Sequence, residues 1–138
     1  MSEPTFIIHD ISHALAVGKA SMELNAPVVV LSAPGLATTL GPEAFTALIE
    51  KTMAAYPDAL VLGVLDCGDQ AGTAIGALRR GVRRISVDVE AATLGKITDI
   101  AHQLEADVIT RPDKALDLLD VADMDRAIRH YITNGPLP

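Results

Sequence analysis

Two patterns of apolar and polar residues alternate along the chain. Short apolar runs rich in valine, isoleucine and leucine are typical of strands buried on both faces of a sheet. Between them, apolar residues recur at i, i+3, i+4 and i+7, the spacing of an amphipathic helix, most clearly from Phe45 to Tyr56. The patterns predict five strands, at about residues 5–8, 27–32, 59–65, 83–87 and 107–110.

The order of these elements predicts the fold class. A helix is predicted after each strand, and strands joined in this way run parallel through right-handed crossovers. We therefore expect a single α/β domain over residues 1–138, with a parallel five-stranded sheet flanked by helices. A short helix from Pro112 to about Leu119 and a last helix to about Thr133 are expected as a C-terminal helical pair within residues 111–138. The pattern leaves open whether the sheet is half of a (β/α)8 barrel or an open three-layer sandwich.

Composition narrows the class of protein. Of the 138 residues 49% are apolar but only 3% are aromatic, so the core must consist mainly of aliphatic side chains. The net charge of -7 argues against nucleic acid as a partner, because phosphate binding requires a basic surface. No apolar run approaches the ~20 residues of a membrane span, and the start of the chain does not resemble a signal peptide. We expect a cytoplasmic protein with no membrane partner, in which the single cysteine, Cys67, excludes an internal disulfide.

Two carboxylates follow neighbouring strands of the predicted sheet. Asp66 closes the third strand and Asp88 closes the fourth. Because ligands bind at the carboxyl ends of parallel strands, both are candidate catalytic residues, with Asp66 as a general base or a ligand hydroxyl acceptor. The alternative is that each carboxylate caps the helix that follows or binds loop amides.

Small and hydroxyl-bearing residues follow the second and third strands, where helices are predicted to begin. Backbone N–H groups at such positions bind phosphate or carboxylate, although both loops are equally typical of ordinary strand-to-helix turns. Asp69 is also expected to be the N-cap of the helix over residues 70–80, and its charge opposes an anion. The candidate ligand-binding residues in these loops are Ser32, Gly35, Gly68, Asp69, Gln70 and Thr73.

The histidines and arginines are weaker candidates for a functional site. His9 and His13 have the spacing of a helical metal pair, but a helix that starts after His9 would separate them, so solvated side chains are expected. Four arginines, at positions 79, 80, 83 and 84, form the only basic cluster. It lies at the amino-terminal end of a strand, where stabilisation of the helix end or ion pairs in an oligomer are expected.

The order of several motifs resembles the class II (metal-dependent) fructose-bisphosphate aldolases. Leu65-Asp66-Cys67-Gly68 is similar to their Leu-Asp-His-Gly signature, and the segment from Gly81 to Asp88 is similar to their Gly-Phe-x-Ser-Val-Met-Ile-Asp strand. Glu23 to Gly35 resembles part of their opening βαβ unit, and Ile100-Ala101-His102 resembles their Ala-His element. The resemblance extends from Phe6 to Ile109 and implies an aldolase-like half-barrel over residues 1–110.

The resemblance also implies roles for two residues. Asp66 stands at the position of an aspartate that acts in proton transfer, and Cys67 replaces a histidine that binds zinc. A thiolate also binds zinc, so Cys67 is a candidate ligand for a divalent metal. The family's other metal-binding histidines belong to the second half of the barrel, for which this sequence has no counterpart.

These observations lead to three hypotheses on function, the third of which is a purely structural or interaction protein whose pocket binds no ligand. The first is a binding or regulatory protein on a truncated aldolase-like scaffold, for a small phosphorylated or polyhydroxy ligand and without metal-dependent aldolase activity. The second is an aldolase-type lyase on a sugar-phosphate-like substrate, completed by a metal and a second subunit. A five-stranded sheet has two open edges, and a homo-oligomer is expected to cover at least one of them.

Overall fold

The computed structural model describes residues 3–135, and the remaining terminal residues lie outside this range. The strands in chain order are β1 Thr5–Ile8, β2 Val28–Ser32, β3 Val61–Asp66, β4 Arg84–Ser86, β5 Asp107–Ile109 and β6 Leu116–Asp117. The helices are α1 Ile11–Leu24, α2 Leu36–Thr39, α3 Pro42–Ala55, α4 Ala71–Arg79, α5 Ala91–Gln103 and α6 Met124–Asn134. From β1 to β5 each strand is followed by helix before the next strand begins, as the apolar pattern predicts, whereas β5 is followed directly by another strand.

The protein is α/β, with a parallel sheet flanked by helices, as predicted. The strand order is β5-β4-β3-β2-β1-β6, which has two ends and is therefore that of an open sheet rather than a closed barrel. This order is consistent with the open three-layer alternative. No helix in residues 3–135 combines the length and the hydropathy that a membrane span requires.

Within residues 3–135 the sheet has six strands, in place of the five that were predicted. The helix expected between Pro112 and Leu119 is absent, and two residues of that segment form β6 instead. Leu116 and Asp117 pair in parallel with Phe6 and Ile7 of β1. The expected C-terminal helical pair is thus a short edge strand followed by one helix, α6. A two-residue strand is too short to produce a recognisable alternation of apolar and polar residues.

The chain divides into two compact units, and the first contains residues 1–31, 48–63 and 112–138. In its described part, the ring of Phe6 packs edge-to-face against that of Tyr131, with 5.3 Å between the ring centroids. Gly18 of α1 makes a close approach, because a Cβ atom there would lie 2.7 Å from Cγ2 of Thr52. Glycine at this position therefore allows α1 to pack closely against Thr52 of α3.

The second unit contains residues 32–47 and 64–111. Its strands are in parallel register, with Asp66 of β3 opposite Ser86 of β4 and Ser86 opposite Ile109 of β5. Fully or almost fully buried aliphatic side chains from β4, α4 and α5 contribute to its core, among them Ile85, Leu78 and Ile97. The register brings the carboxyl ends of β3, β4 and β5 to one level, which determines where polar side chains can meet.

The ends of α1 and α4 show how these helices are capped. Asp10 caps α1 by accepting a hydrogen bond of 3.1 Å from the backbone N–H of His13. Gly81 follows α4 with a φ of 92°, a left-handed conformation that favours glycine. The N-cap of α4 is Gln70 rather than Asp69, and its side chain makes no capping hydrogen bond. The expectation for Asp69 was therefore wrong, because α4 begins one residue later than its pattern indicated.

Candidate functional site

Asp66 lies where the sequence predicts, at the carboxyl end of β3. Apolar residues precede it in the strand, and the aspartate itself is only 5% exposed. Its backbone N–H donates a hydrogen bond of 2.8 Å to Oγ of Ser32, the buried last residue of β2. The hydroxyl of Ser32 thus belongs to the framework that holds the strand end.

The carboxylate of Asp66 accepts hydrogen bonds from three groups of the same unit. Oδ1 accepts from the backbone N–H of Gly68 at 3.0 Å and from Oγ of Ser86 at 3.2 Å. Oδ2 accepts from Nη1 of Arg111, which forms an ion pair with it. A buried carboxylate without such partners would be strongly destabilising, so these contacts explain how the charge is accommodated. We call Ser32, Asp66, Ser86 and Arg111 the strand-end site.

Arg111, like Ser86, is a residue of this site that was not predicted from the sequence. It is the second residue after β5, and its side chain is 41% exposed although it is paired with the buried Asp66. A guanidinium has five N–H donors, and partial exposure leaves part of this group accessible from solvent. The position that singled out Asp66, at the carboxyl end of a predicted strand, is also that of Arg111. The expected helix at Pro112 obscured this signal.

Asp88 does not take the place that was predicted for it. β4 ends at Ser86, two residues before Asp88, so the hydroxyl of Ser86 and not a second carboxylate contacts Asp66. The side chain of Asp88 is exposed, and its backbone N–H donates a hydrogen bond of 2.7 Å to the carbonyl oxygen of Gly68. Asp88 thus connects the loops after β3 and β4 through its backbone.

Cys67 is buried directly beside the strand-end site. Burial raises the pKa of the Cys67 thiol to about 11, and Sγ is 3.8 Å from the carbonyl oxygen of Leu65, to which it donates. At neutral pH this side chain is therefore a neutral thiol, whereas the thiolate is the form that binds zinc or attacks as a nucleophile. No group of three or more His, Cys, Asp or Glu side chains suited to a metal ion occurs in residues 3–135. The described residues thus offer little support for a metal at Cys67.

The remaining candidate residues in the loops have separate surroundings. Gly35 and Gly68 adopt positive φ values of 83° and 57°, a backbone conformation that favours glycine over other residues. Gly35 precedes the single turn of α2. Asp69 and Gln70 are exposed, and Nε2 of Gln70 donates to Oδ1 of Asp69 at 3.0 Å. Gly68 also contacts the strand-end site through its N–H, whereas Asp69 and Gln70 contact each other in the turn before α4.

Thr73 lines a separate surface cleft, which we call the α4 cleft. The cleft has a volume of about 420 Å³ and lies in the second unit. None of the other candidate ligand-binding residues lines it. Its lining consists of Ala37, Thr38, Gly41, Pro42, Glu43, Gly72, Thr73, Gly76 and Arg80.

His9 and His13 are more ordered than the expectation of solvated side chains implied. Nε2 of His9 lies 2.7 Å from Oδ1 of Asp117, and Nδ1 of His13 accepts a 3.0 Å hydrogen bond from the backbone N–H of His9. The side chain of His13 is only 13% exposed. Burial alone would raise the pKa of the Asp117 carboxyl. Hydrogen bonds from the Leu119 N–H and from His9 outweigh this effect, so the pKa is lowered. The cluster connects the end of β1 to the edge strand β6.

Comparisons with protein-family models and with curated proteins found no match to this chain. The function therefore has to be argued from the chemistry of the described residues.

Proposed function

We propose that this protein binds a small anionic metabolite, a phosphate monoester, at the strand-end site. The observation that carries the proposal is the state of Arg111, whose guanidinium is held by the buried Asp66 while its side chain remains 41% exposed. In this arrangement Arg111 contacts the anion, and Asp66 orients the guanidinium. Ser32 and Ser86 hold Asp66 in place.

An anchored arginine is well suited to this role. The planar guanidinium binds the oxygen atoms of phosphate or carboxylate through paired hydrogen bonds. Because the ion pair with Asp66 already restricts the side chain, less conformational entropy is lost when a ligand binds. Asp66 offsets part of the positive charge, so directed hydrogen bonds contribute more to recognition than net attraction does.

The same contacts support a binding or regulatory role over a metal-dependent lyase. The carboxylate of Asp66 already accepts hydrogen bonds from Gly68, Ser86 and Arg111, which favours an anchoring role over proton transfer. The neighbouring Cys67 is a neutral thiol. The resemblance to class II aldolases supports a sugar-phosphate-like ligand and a scaffold derived from that family, which we retain as part of the proposal. A homo-oligomer that covers the sheet edges β5 and β6 is also proposed.

Isothermal titration calorimetry tests the proposal with inorganic phosphate, glycerol 3-phosphate and fructose 1,6-bisphosphate as probes. We expect at least one phosphate ester to bind, and Arg111→Gln to weaken binding by at least about tenfold, the effect of one charge-assisted hydrogen bond. Arg79→Gln, at an exposed arginine of the same unit, is the matched control and should leave the affinity unchanged. Absence of binding by all three probes at about 10 mM, or equal affinity of Arg111→Gln and the unmodified protein, would contradict the proposal.

An activity assay separates binding from lyase chemistry. The purified protein is incubated with fructose 1,6-bisphosphate, with and without added Zn²⁺, and triose phosphate formation is measured. The binding proposal predicts no cleavage in either case. Zinc-dependent cleavage that is lost in Cys67→Ala would replace it with the lyase hypothesis.

A further inference from the structure

Seven of the ten glycines have a visible structural reason, and three do not. Gly18 and Gly63 lie so close to neighbouring side chains that a Cβ atom would approach them to 2.7 and 2.8 Å. The three without a reason lie inside helices, and a Cβ atom would meet no atom within 4 Å: Gly72, Gly76 and Gly95. Positive φ values account for Gly35, Gly41, Gly68, Gly81 and Gly135.

Two of these three glycines line the α4 cleft. Gly72 and Gly76 are four residues apart in α4, which places them one turn apart on the same side of the helix, whereas Gly95 belongs to α5 and does not line the cleft. Glycine inside a helix is unfavourable relative to alanine. Since no protein atom occupies the space in front of Gly72 and Gly76, their effect is to leave one wall of the cleft as bare backbone.

The cleft also contains charges of both signs. Nε of Arg80 lies 3.3 Å from Oε1 of Glu43, and the two side chains are 62% and 68% exposed, so both charged groups remain accessible. The hydroxyl-bearing residues Thr38 and Thr73 belong to the same lining. A volume of about 420 Å³ is within the range of sites for small metabolites.

We propose that the α4 cleft binds a small zwitterion, a free α-amino acid, independently of the strand-end site. The ligand carboxylate binds the guanidinium of Arg80 and its ammonium group binds the carboxylate of Glu43. The body of the ligand packs on the wall at Gly72 and Gly76. Glu43 repels a simple anion and Arg80 repels a simple cation, so only a ligand with both charges matches the pair. For a ligand of this size at an open cleft, a dissociation constant of about 1 mM is expected.

Ligand-observed NMR tests the assignment, with L-serine and L-alanine as probes and with acetate and methylammonium as single-charge controls. We expect the amino acids to bind, and both controls to bind at least about tenfold more weakly. Failure of both amino acids to bind at about 20 mM would overturn the proposal. Acetate or methylammonium binding as tightly as the amino acids would overturn it as well.

A pair of glycine variants locates the binding. Gly76→Ala and Gly95→Ala each place a methyl group in open space inside a helix, so both variants should fold and unfold at a higher temperature than the unmodified protein. Only Gly76→Ala places its methyl group in the cleft, against the proposed position of the ligand, and it should weaken amino acid binding by at least about tenfold. Unchanged binding by Gly76→Ala would contradict the proposal. Arg111→Gln should leave amino acid binding intact, which separates this site from the strand-end site.

Discussion

The ion pair between Asp66 and Arg111 should make a measurable contribution to stability. Removing one partner of a fully buried pair costs about 3–5 kcal/mol, because the other charge stays buried without compensation. In Arg111→Gln, the carboxylate of Asp66 would retain only the donors of Ser86 and Gly68. The side chain of Arg111 is 41% exposed, so water screens part of the interaction. We therefore expect a loss of about 2–3 kcal/mol in the free energy of unfolding.

Substitution of Asp66, the other partner of the ion pair, should have a smaller effect on the free energy of unfolding. Asp66→Asn keeps the shape of the side chain and an acceptor oxygen, and it leaves Arg111 with access to water. A loss of about 1–2 kcal/mol is expected, with a coupling of about 1–2 kcal/mol between the two substitutions in a double-mutant cycle.

Urea unfolding followed by circular dichroism provides the four free energies of this cycle. The denaturant dependence should be the same in all variants, because a change would indicate an altered denatured state. Arg80→Gln removes the exposed pair with Glu43 and serves as the control, with an expected loss of less than about 1 kcal/mol. A loss in Arg111→Gln no larger than in this control, or a coupling near zero, would show that the pair does not form as described.

Three further predictions concern buried positions of the two units. Because the pKa of Cys67 is raised from 9.0 to about 11, its alkylation by iodoacetamide at pH 8 should be about 100-fold slower than that of an unfolded control peptide, and equal rates would contradict a buried thiol. The Cys67 thiol binds its proton more tightly in the folded than in the unfolded state. Its contribution to the free energy of unfolding is therefore complete below about pH 9 and is lost as the pH rises towards 11. Urea unfolding of Cys67→Ala should accordingly show a smaller loss of stability over this pH range. Gly18→Ala should lower the free energy of unfolding by about 1–2 kcal/mol, because its Cβ atom would lie 2.7 Å from Thr52, whereas Gly95→Ala should not destabilise the protein. Equal stability of these two glycine variants would refute the close packing.

The parts of the fold that could be predicted from the sequence are those with long, regular patterns. Five strands and the longer helices were recognised because several turns or residues repeat the same apolar spacing. The two residues of β6 could not be recognised, since their strand conformation depends on pairing with Phe6 and Ile7 of β1. The single turn of α2 likewise has too few residues to show a helical period.

In the candidate site, too, the residue marked by its local sequence was predicted, and the partner that lies far away in the sequence was not. Asp66 was predicted because a strand end is a local feature of the sequence. Its partner Arg111 is 45 residues away, and only the parallel register of β3, β4 and β5 brings the two together. Asp88 was assigned to the site because the fourth strand was expected to extend to residue 87, and its end at Ser86 places that serine there instead.

The central claim, that the strand-end site binds an anion, is tested most directly by an NMR titration of the ¹⁵N-labelled protein with inorganic phosphate and glycerol 3-phosphate. The account predicts saturable shifts of the Gly68 amide and of the Arg111 backbone and side-chain signals, and their loss in Arg111→Gln. Shifts confined to the exposed arginines at positions 79, 80 and 83, or no saturable shift at all, would contradict it.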